Sequence, residues 1–162
     1  MRYKLSTRLQ KSLDDLRKVE KDPKLKVDMG IWAGYDYDLD ADGCRVKHEF
    51  CSVCHAGSVL AKSINGEQFK KIINAKHTFA PYKNWGHEWT AGIRDAGFLD
   101  FLQGVNELRE GDFHGAQIAL DLPDDFFDGF ILRKEVPSYN DDPRGYKRYF
   151  QRVINYVKKR GY

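Results

Sequence analysis

Leu5, Leu9, Leu13 and Leu16 recur at helical spacing with Lys, Arg and Asp between them, and Pro23 ends the pattern. The spacing predicts an amphipathic helix over 4–21 whose leucine stripe is core. Leu25, Val27, Met29 and Ile31 then alternate with Lys26, Asp28 and Gly30, the period of a half-buried strand. The aspartate-rich segment after Tyr35 reads as a turn ending near Gly43, and residues 45–50 as the returning strand of a hairpin. Helical spacing resumes over 52–64, where Val53, Gly57, Leu60 and Ile64 share a face with Cys54 and Ala61 beside it, and Asn65-Gly66 reads as its stop. A short helix is expected over 68–74, a loop at "HTFAPYKNWG", a helix within 88–109 that is firmest from 98 to 108, and a short one over 116–120 closed by Pro123. Asp141 or Asp142 reads as the cap of a last helix, with Pro143 in its first turn and Tyr146, Tyr149, Phe150, Val153 and Val157 on one face. The expected fold is α+β: a mainly helical single domain over 1–162 with a small antiparallel hairpin or sheet near 25–50.

Length and composition fit that picture. A chain of 162 residues with 41% hydrophobic content can bury one substantial core, and no Pro/Ser/Gly-rich linker divides it. No apolar run is long enough to span a bilayer, and no apolar stretch follows the positive charges of "MRYKLSTRLQ", so no membrane partner is expected. Three cysteines, an odd number, argue against a secreted disulfide framework and for reduced thiols in a cytoplasm. The net charge of +3 conceals polarity: residues 1–26 carry nine Lys/Arg against four Asp/Glu, 133–162 nine against three, and 95–132 one against nine. Such a distribution either steers a charged partner or is neutralised when the ends fold onto the centre.

Five groups of residues carry candidate chemistry. Asp38, Asp40, Asp42, Gly43 and Glu49 match the spacing of a calcium loop, in which alternate carboxylates and a final glutamate supply oxygen ligands. The segment entering it alternates like a strand where a helix is required, so a solvated turn is the competing reading. His48, Cys51, Cys54 and His55 offer thiolates and imidazoles for zinc, without the distant second pair that usually completes such a site. Cys54 at a helix start, with His87 from "NWGHEW" as base, would make a thiol hydrolase. The surroundings of Cys54 differ from the papain type, and a core cysteine competes. Arg144, Lys147, Arg148, Arg152, Lys158, Lys159 and Arg160 on the last helix could track a nucleic-acid backbone. Finally, "DLPDDFFDG" sets Phe126 and Phe127 among Asp124, Asp125 and Asp128. Adjacent side chains of an extended segment point to opposite faces, so one ring is expected outside, as a partner-binding anchor rimmed by acid; a helical segment with both rings packed inward is the competing reading.

The stretch "MGIWAGYDYDLDADGCRVKHEFCSVCHAGSVLAKSI" resembles uncharacterised accessory proteins of tailed bacteriophages, which carry a C-x-V-C-x-x-G-[AS] helix start after a strand, turn and strand. Cys51, Val53, Cys54, Gly57 and Ser58 hold those positions, and "LREGDFHGA" at 108–116 is similar to another stretch of such proteins. The resemblance implies a phage-encoded protein acting in the host cytoplasm, where small proteins of this kind bind and inhibit or modulate a host factor or defence complex. It brings no catalytic residues. His55 stands where those proteins more often carry alanine. A non-catalytic binder of a host protein or complex is therefore expected, without a cofactor. The alternatives are a small metal- or thiol-dependent hydrolase using Cys54 and His87, with calcium or zinc as possible ions, and a nucleic-acid binder.

Overall fold

A helix with one apolar face is stable only when that face is covered, and the chain meets this demand by packing its helices against one another. The structure, a computed structural model, describes residues 3–30, 33–42, 44–73, 95–130, 132 and 135–162. Among these lie α1 (Leu5–Val19), β1 (Leu25–Val27), β2 (Ala33–Leu39), β3 (Arg45–Val53), α2 (His55–Ser63), α3 (Gly66–Ile73), α4 (Ala96–Glu110), α5 (Phe113–Leu120) and α6 (Pro143–Lys159). The fold is α+β, mainly helical. No described helix is long and apolar enough to cross a membrane.

Helix α6 lays Tyr146, Tyr149, Phe150, Val153, Ile154 and Val157 into the core, and α1 meets it with Leu9, Leu13, Leu16 and Val19. The two run antiparallel and are latched at both ends. The Ser6 hydroxyl donates to the Tyr162 carbonyl at 2.6 Å, and Glu20 accepts from Lys147 and from the Tyr139 hydroxyl, each at 2.6 Å. Short polar side chains cap the helix starts, as their affinity for orphan N–H groups dictates. Asp95 accepts from the Phe98 N–H, Asp112 from Gly115 and Asp142 from Gly145. Asn65, expected to end α2, instead starts α3 by accepting from the Gln68 N–H. Gly111 ends α4 at φ 79°, a conformation that costs glycine least.

The sheet differs from the expected antiparallel one. It is three-stranded and mixed, in the order β1-β3-β2: residues 25–27 pair parallel with β3 (Leu25 opposite Cys51), and the antiparallel hairpin is β2 with β3 (Ala33 opposite Val53, Leu39 opposite Arg45). The run from Leu25 to Ile31 is thus not one strand. It turns after Val27, where the Asp28 carboxylate accepts from the Gly30 N–H; Ile31 lies outside the described residues. Asp36 and Asp38 belong to β2, and the reversal is confined to the residues after Leu39. Ser52 and Val53, expected to open α2, are the end of β3.

Helices α4 and α5 form a tight pair. A Cβ built on Gly104 would lie 2.4 Å from both Cγ and Cδ2 of Leu120, so the absent side chain lets the helices approach. Ala in mid-helix gains up to about 1 kcal/mol in propensity over Gly, whereas overpacking costs ~1–3 kcal/mol. Gly104→Ala is expected to lower stability by about 1 kcal/mol, and the same change in a Leu120→Ala background to raise it. Chemical denaturation of the four proteins reads both signs.

Candidate functional site

The β3–α2 junction carries the densest chemistry, and the structure turns it inward. Central strand β3 runs straight into α2, leaving Cys54 extended at the helix start, where its Sγ accepts from the Gly57 N–H at 3.4 Å. Ser58 Oγ donates to the Cys54 carbonyl at 2.8 Å. Cys51 and Cys54 are both buried, and burial pushes the Cys54 thiol above its ordinary range. That removes the premise of an activated thiolate: the helix start that would favour charge is sealed from water. His87, its expected base, lies outside the described residues. Nor do the described members of the zinc set converge on one point. The Cys51 thiol is directed at the Ser52 carbonyl, His55 faces another partner, and His48 lies in an irregular part of β3. Among the described residues no three His, Cys, Asp or Glu side chains cluster as metal ligands.

His55, the first residue of α2, is 0% exposed. Its Nδ1 shares a 2.7 Å hydrogen bond with the Tyr146 hydroxyl, its ring lies 4.4 Å from that of Phe150, and its Nε2 has no hydrogen-bond partner. Burial, reinforced by the Arg109 charge and only partly offset by Ser12 and Asp15, lowers its pKa to about 4. The imidazole is neutral in the fold. Burial also holds the Tyr146 hydroxyl well above its ordinary range. The Tyr149 hydroxyl, pushed up by the same cause, donates to the Leu108 carbonyl at 2.6 Å. Each polar tip on the aromatic face of α6 thus ties that helix to another element, an arrangement that specifies packing and exposes no reactive group.

The aspartate loop is a hairpin turn. Asp40 Oδ1 accepts from the Asp42 and Cys44 N–H groups at 3.0 and 2.8 Å, which spends that carboxylate oxygen on the backbone. Asp38 and Glu49 lie within strands, the former opposite Val46. Glu49 belongs to the three residues of β3, 48–50, that face the single Asp36 across a register irregularity. Strands flank the loop where a calcium hand requires helices.

The structure corrects the reading of the acidic segment. Phe126 is 0% and Phe127 5% exposed, so neither ring is an external anchor. The alternation argument fails because 123–130 is coiled, not extended. Phe126 N–H donates to Pro123, Asp128 to Asp125 and Phe130 to Phe127, a three-residue repeat that sets neighbours about 120° apart instead of opposite, so both rings can turn inward. Gln117 clamps the coil: its Nε2 donates to the Asp124 carbonyl and its Oε1 accepts from the Phe127 N–H. Tyr156 of α6 donates to the Phe126 carbonyl at 2.8 Å. Asp124, Asp125 and Asp128 are left outside. Of the cations on α6 and its cap, Lys147 pairs with Glu20, Arg152 lies over the Phe130 ring and Arg160 over Phe126; all but Lys147 are exposed, Arg144, Arg148, Lys158 and Lys159 among them.

Sequence reasoning missed two features. The first is a groove of about 550 Å³ between α1 and α6, lined in part by Lys11, Lys18 and Lys158. The second is Asp15, which is fully buried and bridged by Lys11 at 2.7 Å and Lys18 at 3.1 Å. An aspartate one residue before Leu16, flanked at i−4 and i+3 by lysines, was the available signal. No family model, curated protein or solved structure matches the chain.

Two measurements test the buried cluster. In the native state a thiol reagent should label exposed Cys44 rapidly and Cys51 and Cys54 only on unfolding; mass spectrometry of timed samples reads the order. His55 binds its proton less readily folded than unfolded. Stability should therefore fall as pH drops from about 6.5 to about 4, by up to about 3 kcal/mol from this group, and the cost should be absent above that window. His55→Gln should flatten the profile in that window; parallel profiles would contradict the assignment.

Proposed function

We infer that the chain is a non-catalytic binding protein that modulates a partner protein through the acidic face built on α4, α5 and the 121–130 coil. The observation that carries this reading is the clamp on that coil. Phe126 and Phe127 are driven into the core and Gln117 and Tyr156 fix the backbone, so Asp124, Asp125 and Asp128 are displayed in a fixed arrangement. Carboxylates held in place before contact lose little freedom on binding. Ile118, 68% exposed, stands on α5 three residues before Asp121, the residue that ends the helix. At the other end of α5, burial first and the charges of Asp112 and Glu110 second raise the pKa of Glu107. Arg109, the single Lys or Arg in 95–132 against nine acids, donates to the Met29 carbonyl at 2.6 Å and pairs with Glu110, so the stretch stays strongly acidic.

A rigid acidic platform beside an exposed isoleucine fits a basic protein surface with an apolar recess. In keeping with the phage resemblance, the partner class is a host factor or defence complex that the protein inhibits or modulates. The rings at 126 and 127 support the platform and do not touch the partner.

The test is charge reversal. Asp124→Lys with Asp125→Lys and Asp128→Lys should cost little stability, because exposed positions tolerate substitution within about ±0.5 kcal/mol each. The same changes should abolish capture of the host protein that mass spectrometry identifies with the wild type. Unchanged capture by a folded triple variant would refute the acidic face. Capture lost instead on Arg144→Glu with Arg148→Glu would move recognition to α6.

A further inference from the structure

The groove between α1 and α6 lies on a different face from the acidic coil and has the opposite charge. From Pro143 to Lys159, α6 contains six Lys or Arg and no Asp or Glu. Across the groove α1 contributes Lys11 and Lys18. Both ammonium groups lean on the one buried carboxylate of Asp15, so this trio keeps a net positive charge. Asp14, the one acid lining the groove, is matched by Arg17 at 2.9 Å. Gln151 donates to Gln10 at 3.0 Å, joining the two helices across the groove. Lys158 closes one end. Arg144 and Arg148 continue the exposed face of α6 beyond the other, giving a cationic line of about 21 Å from Arg144 to Lys158 at 1.5 Å per residue.

We propose that this groove and the α6 cations that continue it bind the phosphodiester backbone of duplex nucleic acid. The length of the line selects the ligand: one phosphate or nucleotide engages a single end of it, whereas successive phosphates of a backbone follow it throughout. The lining selects duplex over single strand. No aromatic side chain lines the groove, and Tyr146, Tyr149 and Phe150 of α6 are buried, so unpaired bases find no stacking platform there. Recognition is then by charge and spacing, without sequence preference.

The experiment uses the full chain and a fluorescent 20-base-pair DNA duplex, with the affinity measured across a salt series. Binding should weaken linearly in log–log form as salt rises. Lys11 and Lys18 are left intact because they hold buried Asp15. Arg148→Glu with Lys158→Glu should lower affinity at least about tenfold and reduce the salt slope by about two. Lys24→Glu, a charge reversal away from the groove, should change affinity by less than about threefold, and thermal melting confirms that each variant folds. An absence of binding at low salt overturns the proposal, as does an equal loss in Lys24→Glu. So does full competition by millimolar ATP or inorganic phosphate, which would make the site a small-anion pocket, or by poly-glutamate at equal charge, which would make it a dock for acidic protein. None of these outcomes bears on the acidic coil, whose variants leave the groove untouched.

Discussion

The rest of the molecule depends on the single apolar face of α6. Its exposed side is so rich in cations that the helix has only one way to sit, with Tyr146, Tyr149, Phe150, Val153, Ile154 and Val157 inward. Each partner element then attaches to a particular residue of that face. His55 at the start of α2 meets Tyr146, the end of α4 accepts from Tyr149 through Leu108, and the acidic coil is fastened by Tyr156. The hydroxyls matter because aromatic bodies alone would tolerate sliding, whereas a buried hydrogen bond is lost at the first misplacement. Chemistry that resembles a catalytic cluster in the linear sequence is therefore the joinery of a core.

The same constraint decides what faces water. With the aromatic face committed inward, Arg144, Arg148, Lys158 and Lys159 can only project out, and α1, latched antiparallel beside α6, adds Lys11 and Lys18 to that side. On the far side Asp112 and Asp121 begin and end α5, so the residues that shape the helix also charge its surface. The basic ends meet the acidic centre in part. Lys147 pairs with Glu20 of the other basic end, whereas Arg152 and Arg160 lie over Phe130 and Phe126 of the acidic coil.

Where one period governs a long segment, the sequence was legible: the leucines of α1 and the aromatic face of α6 fall where spacing places them, and Asp142 caps α6 beside Pro143. The sheet was legible only in part. Alternation from Leu25 to Ile31 identifies extended chain but says nothing of pairing partner or direction, and β1 joins β3 in parallel through contacts that no local pattern encodes. Phe126 and Phe127 show a second limit, because the rule that separates neighbours holds for extended backbone and Gln117 coils this one. Aspartates at alternate positions are ambiguous for the same reason. Asp38 lies in a strand and Asp40 organises a turn, although both fit a calcium spacing.

The latching of α1 to α6 also bears on how the chain is made. Ser6 is bonded to the carbonyl of Tyr162, Gln10 to Gln151 and Glu20 to Lys147, so the seam between the two helices joins residues 127 to 156 positions apart. During translation the leucine stripe of α1 emerges before either helix that covers it, and α2 reaches it ahead of α6. Contacts of such long sequence separation close late and slowly. The seam between α1 and α6 is thus the part of this core that closes only once α6 has emerged, whatever α1 and α2 have formed before it.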